Sequence, residues 1–446
     1  MFKKLPVKLI VILFCIAFHS LNTQAGVFKP VPGDTIQAES IINAIDRGDS
    51  IIIDNCKILG PLIKGDLFGR TDTIKSFIGI VQSTFSDRVS FTDRYFKEWV
   101  LFCADSFIKN VEFVRATFGG DADFTGATFH SLAYFSNATF SGDAYFLGAA
   151  FGGKIYFWKA TFGRDADFSD ATFDSLAYSS NATFSGDVHF NRATFGGDAN
   201  FWDVTFGGEA NFSDVTFGGD ANFSVAAFAK NAYFIDTKFQ KKVDLSPKEF
   251  KTIYISWEQL RGHLVYNRTG NYKLMKYFEE QRMLEDADGI FLFIKDNERM
   301  EKHPLIRYPE YWFVYLTCGY GRRPLNTLVL SIGLIILFAI LYTRKPNAIN
   351  EIQKGFWYRS QRKFRKRFYQ NIPKGGGFYY ALYFSLHTFI IGVVSDWHAS
   401  DEFLIGDSEK RGIKLFRFRT LSMIEGALGW ILVIILIICL ERTIGR

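Results

Sequence analysis

The sequence predicts a β-solenoid followed by an α-helical connector and an α-helical membrane domain. Three observations predict it. Phenylalanine recurs from Phe85 to Phe239 at spacings that alternate between six and five residues. Two segments near the C-terminus, 325–342 and 420–440, are almost wholly apolar. A content of 49 Phe against 5 Met in 446 residues marks a repeat rather than an ordinary core.

A fixed short period sustained over such a length means stacked units, because each unit can bury its apolar side only against its neighbours. The repeating unit is eleven residues, as in Ala193-Thr-Phe195-Gly-Gly-Asp-Ala-Asn-Phe201-Trp-Asp203, with a small residue usually two positions before each Phe. These A-x-F units resemble the pentapeptide-repeat family, in which the central Leu or Phe points inward and the small residue fills the corner beside it. The resemblance implies a right-handed quadrilateral β-helix, with about 22 residues per coil if four units of alternating length close one turn. The stretch Asp121 to Tyr134 recurs almost unchanged as Asp165 to Tyr178, an offset of 44 residues, which is two coils. Roughly seven coils stacked at ~4.8 Å would make a rod of about 35 Å. The ladder has one gap, Ser179, where a void or a shifted Tyr178 ring is expected.

Residues 1–25 read as a secretory signal peptide: Lys3, Lys4 and Lys8, a short apolar run, then Thr23-Gln-Ala25 before Gly26. Residues 26–81 are expected to form an N-terminal cap and first strands, with Ile51 to Ile58 covering the open end. The repeats proper are assigned to 82–246. Residues 247–310 change to charged segments around spaced apolar residues, which predicts a helical connector, with a break at Asp286-Ala-Asp288-Gly289. It reads either as a transmitter between rod and membrane or as a solvated linker.

Trp257-Glu-Gln-Leu, Glu285-Asp-Ala-Asp288 and Cys318-Gly-Tyr-Gly-Arg-Arg-Pro324 resemble pentapeptide-repeat proteins that end in a two-span, potassium-channel-like module. The resemblance implies a membrane domain over 311–446, with spans at 325–342 and 420–440, a pore-like helix at 378–394, and assembly as a homotetramer. Tyr380 to Phe389 matches a pore-helix pattern that includes Thr388, and Ile424-Glu-Gly-Ala-Leu-Gly-Trp430 resembles the Glu-x-x-x-Gly opening of a last span. A filter would fall on Ile391, Gly392, Val393, Val394, Ser395 and Asp396. Potassium filters need glycines so that successive carbonyls can line one axis. Val393 and Ser395 do not supply that freedom, so the expectation is weakly selective passage of monovalent or divalent cations, with Asp396, Asp401 and Glu402 as mouth charges. The alternative is a membrane-anchored scaffold or adhesion protein with a non-conducting pore-like anchor. A buried Glu425 is costly in lipid and should find a partner, Ser385 or pore-helix backbone.

Ten Lys and Arg lie between Arg344 and Lys374, including Arg362, Lys363, Arg365, Lys366 and Arg367. They favour a cytoplasmic loop and contact with anionic lipid heads. With a cleaved leader this places the β-helix outside the cell membrane of a multi-pass protein. Both ends are then outside if 378–394 is re-entrant, and the C-terminus is inside if it spans.

Charge and motif content exclude other classes. From Phe107 to Leu245 there are 10 basic against 16 acidic residues, too mild for DNA mimicry, and no nucleic-acid partner is expected. Seven scattered histidines, no nucleophile context and no phosphate loop argue against an enzyme, and no cofactor is implied. Asp123, Asp165, Asp167, Asp187, Asp198 and Asp220 read as solvated turns or as acidic ladders for cations or basic partners. The β-helix is left with an unidentified protein or surface ligand.

Overall fold

The computed structural model describes residues 26–64, 72–343 and 418–444, together with Leu382, Ser385, Leu386, Thr388, Phe389 and Ile390. The chain divides into two compact units, Met1–Ile294 and Lys295–Arg446.

The first unit is a parallel β-solenoid. Its strands form a ten-stranded sheet, a nine-stranded sheet and an 18-stranded sheet, in which two faces are joined through the long strand Ala227–Tyr233. Partners lie 22 residues apart, as in Thr117 with Thr139 and Phe118 with Phe140. Ten strands at about 4.8 Å give a rod of about 43 Å.

That is longer than the Phe ladder suggests, because the rod begins at Val27, which pairs with Ser50. Its first coils point Ile51, Ile53, Ile58 and Ile80 inward instead of Phe. One of them steps 27 residues, from Ile51 to Ile78, which hides the period. The cap is helix α1 (Ala38–Arg47), whose Ile41 and Ala44 are fully buried.

Inside the rod each Phe stacks on its counterpart one coil away; Phe140 and Phe162 lie 4.7 Å apart with planes 3° from parallel. Neighbouring columns meet edge to face, as Phe146 and Phe157 do at 5.6 Å and 79°. Each such pair contributes about 0.5–1.5 kcal/mol beyond its burial. The alternating spacing reflects two kinds of corner. The five-residue corner turns on a left-handed residue two positions after Phe, such as Arg115, Asn137 or Asp170. The six-residue corner, most often Phe-Gly-Gly-Asp, brings backbones so close that a Cβ on Gly208 would sit 2.2 Å from the Gly186 carbonyl oxygen. Its Asp then accepts the amide of the next coil: Asp143 N–H donates to Asp121 Oδ1 at 2.9 Å.

The far end of the rod is closed by α2 (Trp257–Leu260), α3 (Arg268–Glu280) and the start of α4 (Leu284–Met300). Leu260, Leu264, Leu274, Phe278, Ile290 and Ile294 belong to the same buried core as the Phe ladder. The segment is helical as expected, and up to Ile294 it also caps the rod, supplying the terminal cover a solenoid needs. The expected break at Asp286 to Gly289 is corrected. Helix α4 runs through it, and the chain turns instead at Arg282, whose φ is 60°. Gly289 serves close packing, since a Cβ there would lie 2.2 Å from the Trp257 ring.

The second unit contains α5 (Pro304–Glu310), a π-helical turn (Tyr311–Tyr315), α6 (Leu316–Cys318), α7 (Pro324–Thr343) and α8 (Phe418–Ile444). Within α7 and α8, Pro324–Leu341 and Met423–Glu441 are long and apolar enough to cross a membrane. Most of that surface is uncovered, Leu325 being 72% and Val329 68% exposed.

Candidate functional site

In the second unit, the Glu425-x-x-x-Gly429 pattern lies on α8, and its two ends do different work four residues apart. Glu425 is fully buried and hydrogen-bonded to the Ser385 hydroxyl. Gly429 removes the side chain that would block the neighbouring segment, since a Cβ there would lie 2.1 Å from the Phe389 carbonyl oxygen. Ser385 Oγ also donates to the Ile335 carbonyl of α7 at 2.9 Å. One hydroxyl therefore ties Ser385 to both apolar helices.

Ser385, Leu386, Thr388, Phe389 and Ile390 are helical. Ser385, Thr388 and Phe389 are buried, while Leu386 and Ile390, four residues apart, are exposed. Of the residues expected to form a pore, Thr388 and Glu425 are thus brought to one helix cluster. The filter-like Ile391, Gly392, Val393, Val394, Ser395 and Asp396 lie outside the described residues. So do the basic-loop residues Arg362, Lys363, Arg365, Lys366 and Arg367, and residues 1–25, where a signal peptide is expected.

The approach to α7 carries an aromatic group that the sequence reading passed over. Tyr311 and Tyr315 stack at 5.4 Å, and the Arg299 guanidinium lies 4.9 Å from the Tyr311 ring. Trp312 and Phe313 are exposed. Tyr320, held with a left-handed backbone between Gly319 and Gly321, donates to Glu310 at 3.0 Å. Burial and that carboxylate push the Tyr320 hydroxyl well above its usual range. Exposed aromatics next to an apolar helix are the pattern of a membrane interface. The legible signal was the run Tyr308-Pro-Glu-Tyr-Trp-Phe-Val-Tyr315, directly before the span.

On the rod, the outward Asp residues are engaged in backbone hydrogen bonds. Asp165, Asp187, Asp198 and Asp220 each accept an amide 22 residues ahead. Asp123 and Asp167 accept the amides of Thr125 and Ser169, two residues on. No cluster of His, Cys, Asp and Glu among the described residues is arranged to hold a metal ion. Burial pushes the Cys56 and Cys103 thiols up, so neither is an activated thiolate.

A second group missed in the sequence is inside the rod. Asp105 occupies the position two before Phe107, where later coils place Ala127 and Ala149. It is fully buried and accepts the Ser83 amide at 2.7 Å, and Ser83 Oγ in turn accepts the Cys56 amide at 3.0 Å. Burial, with a smaller push from Asp54, holds the Asp105 carboxyl well above the usual aspartate range, against the pull of the Ser83 hydrogen bond. An Asp in the small-residue slot of the repeat was the readable signal.

Coil pairing, inward Phe and small corner residues define a β-helix of short tandem repeats. Residues 113–161, 157–205 and 201–246 match the family model described as pentapeptide repeats (9 copies), so 113–246 is a pentapeptide-repeat segment. No curated protein and no solved structure matches the chain.

Proposed function

We propose that the C-terminal unit is the pore-forming hairpin of a homotetramer in the cell membrane, passing cations with weak selectivity, and that the β-helix is its binding or regulatory part. The observation that carries this reading is the Ser385 hydroxyl bonded to Glu425 of α8 and to the Ile335 carbonyl of α7. A polar side chain that bonds two apolar helices at once is how a pore loop is held. An acidic side chain inside an apolar helix is retained where it organises such a contact. The leader and the basic loop 344–374 support a β-helix on the outer side.

A second reading, a membrane-tethered rod whose spans only anchor and oligomerise, is favoured by Val393 and Ser395, which stand where a filter needs glycine. Ion flux through the purified protein in liposomes separates the two. Potassium, sodium and calcium are compared, with Gly392→Trp as the blocked control and Ser385→Ala as the variant lacking the hydroxyl. Flux that both substitutions abolish supports the pore. Folded, inserted protein without flux under any condition supports the tether.

A further inference from the structure

The face of the rod built on the nine-stranded sheet differs from the others in what it turns outward. Tyr134, Tyr156 and Tyr178 pair in register one coil apart on this face, and the Tyr134 and Tyr156 rings stack at 5.1 Å. In the column two positions further along the chain stand Trp158, Ser180 and Trp202. The indoles are 37% and 42% exposed, whereas Ser180 between them is fully buried. A molecule laid along the rod therefore meets two indoles and little of the residue between.

The spacing of those indoles is fixed by the fold. Trp158 and Trp202 are 44 residues, or two coils, apart, so their backbones are separated by about 9.6 Å along the axis. Coils pair on both sides, so the platform is rigid and little ordering is lost on binding. A flat β-linked polysaccharide turns the same face of its sugars to one side at every second residue, a repeat close to two coils. Its axial C–H faces stack on aromatic rings, and its hydroxyls need amide and charged partners. Asn137 and Asn181, in the left-handed corner positions beside the Trp column, supply such groups.

Charge selects against the other polymers that stack on aromatics. A nucleic acid needs a basic groove along its backbone. Here Arg115 is paired with Asp93, and the column that carries Lys159 also carries the neutral Asn181 and the acidic Asp203, so no basic groove runs along it. Lys159 Nζ lies 4.6 Å from the Trp158 ring and is exposed, so a ligand displaces it from the indole onto a hydroxyl.

We propose that this face binds a neutral, extended β-linked polysaccharide across Trp158 and Trp202. The proposal goes beyond the pore reading and stands whether or not the C-terminal unit conducts. Its test uses the full chain in detergent, titrated calorimetrically with cellohexaose, chitohexaose and the α-linked maltohexaose. The β-linked oligomers are expected to bind and the α-linked one not. Trp158→Ala and Trp202→Ala should each weaken binding by about tenfold or more, the loss typical of an aromatic anchor. Trp158→Tyr should retain most of the affinity. Tyr145→Ala, an exposed aromatic on another face, should change nothing. Unchanged melting temperatures exclude a folding defect in these surface variants. Three results overturn the proposal. The first is no binding of either β-linked oligomer, and the second is binding that survives both Trp→Ala changes. The third is a change of oligomeric state in the Trp variants by light scattering, which would make the strip a contact between copies of this chain.

Discussion

The Ser83 amide donates a 2.7 Å hydrogen bond to Asp105 Oδ1 inside the rod, one coil further on. In regular coils the corresponding amide is satisfied locally, as Ala127 N–H is by the Phe124 carbonyl. Asp105 thus replaces the turn hydrogen bond at Ser83, while its second oxygen is buried without a partner among the described residues. Its carboxyl is held above the ordinary value near 3.8. A carboxyl raised on folding adds stability below its unfolded value and loses it as pH rises through the folded value. The melting temperature should therefore fall as pH is raised above about 4, the ordinary aspartate value, and the fall should end once pH passes the raised folded value. Asp105→Asn keeps the acceptor for Ser83 and should flatten that slope; an unchanged slope would remove Asp105 as its source.

Ser179 breaks the Phe157 to Phe201 column, and Ser180 beside it has a buried hydroxyl without a partner among the described residues. Packing loosens next to the gap: Phe184 and Phe206 lie 5.5 Å apart, against 4.6 Å for Phe162 and Phe184. Ser179→Phe should restore two ring stacks and stabilise the rod by about 0.5–2 kcal/mol, as cavity filling does. Denaturant midpoints decide it. A loss of stability would mean that the neighbouring coils have already closed over the space.

How much of this was legible varies with the strength of the period. The Phe ladder, the 22-residue coil and the gap at Ser179 follow from the sequence because the inward Phe recurs so regularly from Phe85 to Phe239 that its single interruption stands out. The first coils did not, because Ile and Val alternate there without a distinctive residue and one coil carries extra length. The C-terminal cap read as a connector because its apolar residues are few and widely spaced, and they meet the rod from three helices and the turn at Leu264. The pairing of Ser385 with Glu425 was legible because a carboxylate in an apolar span must have a partner, and few candidates exist.

Gly208 marks one of the tightest corners, a Cβ there lying 2.2 Å from the Gly186 carbonyl oxygen. Backbone cannot swing aside as a side chain can. Gly208→Ala should therefore cost more than about 1 kcal/mol, with the loss confined to adjacent coils. Amide exchange should rise at Phe184 and Phe206 and stay unchanged at Phe118. Equal exchange throughout the rod would show that its coils unfold as one unit instead.

Gln259 fastens the cap to the last coils. Its Nε2 donates to the carbonyls of Phe234 at 2.6 Å and Thr237 at 3.1 Å, while its Oε1 accepts the Ser256 amide at 3.0 Å. In a regular coil the carbonyl at the Thr237 position accepts from the next coil, as Val215 does from the Lys238 amide, while the Phe234 carbonyl also accepts the Thr237 amide at 3.3 Å. Gln259→Ala leaves both without this donor and should cost about 1–3 kcal/mol. Because each coil leans only on its neighbours, the effect should be read as faster exchange at Lys238 and Phe239 and earlier proteolysis after the last repeat, with Phe118 and Phe140 unaffected. A variant with normal exchange at Phe239 would place the closure in the apolar contacts of Leu264, Leu274 and Phe278 rather than in this amide.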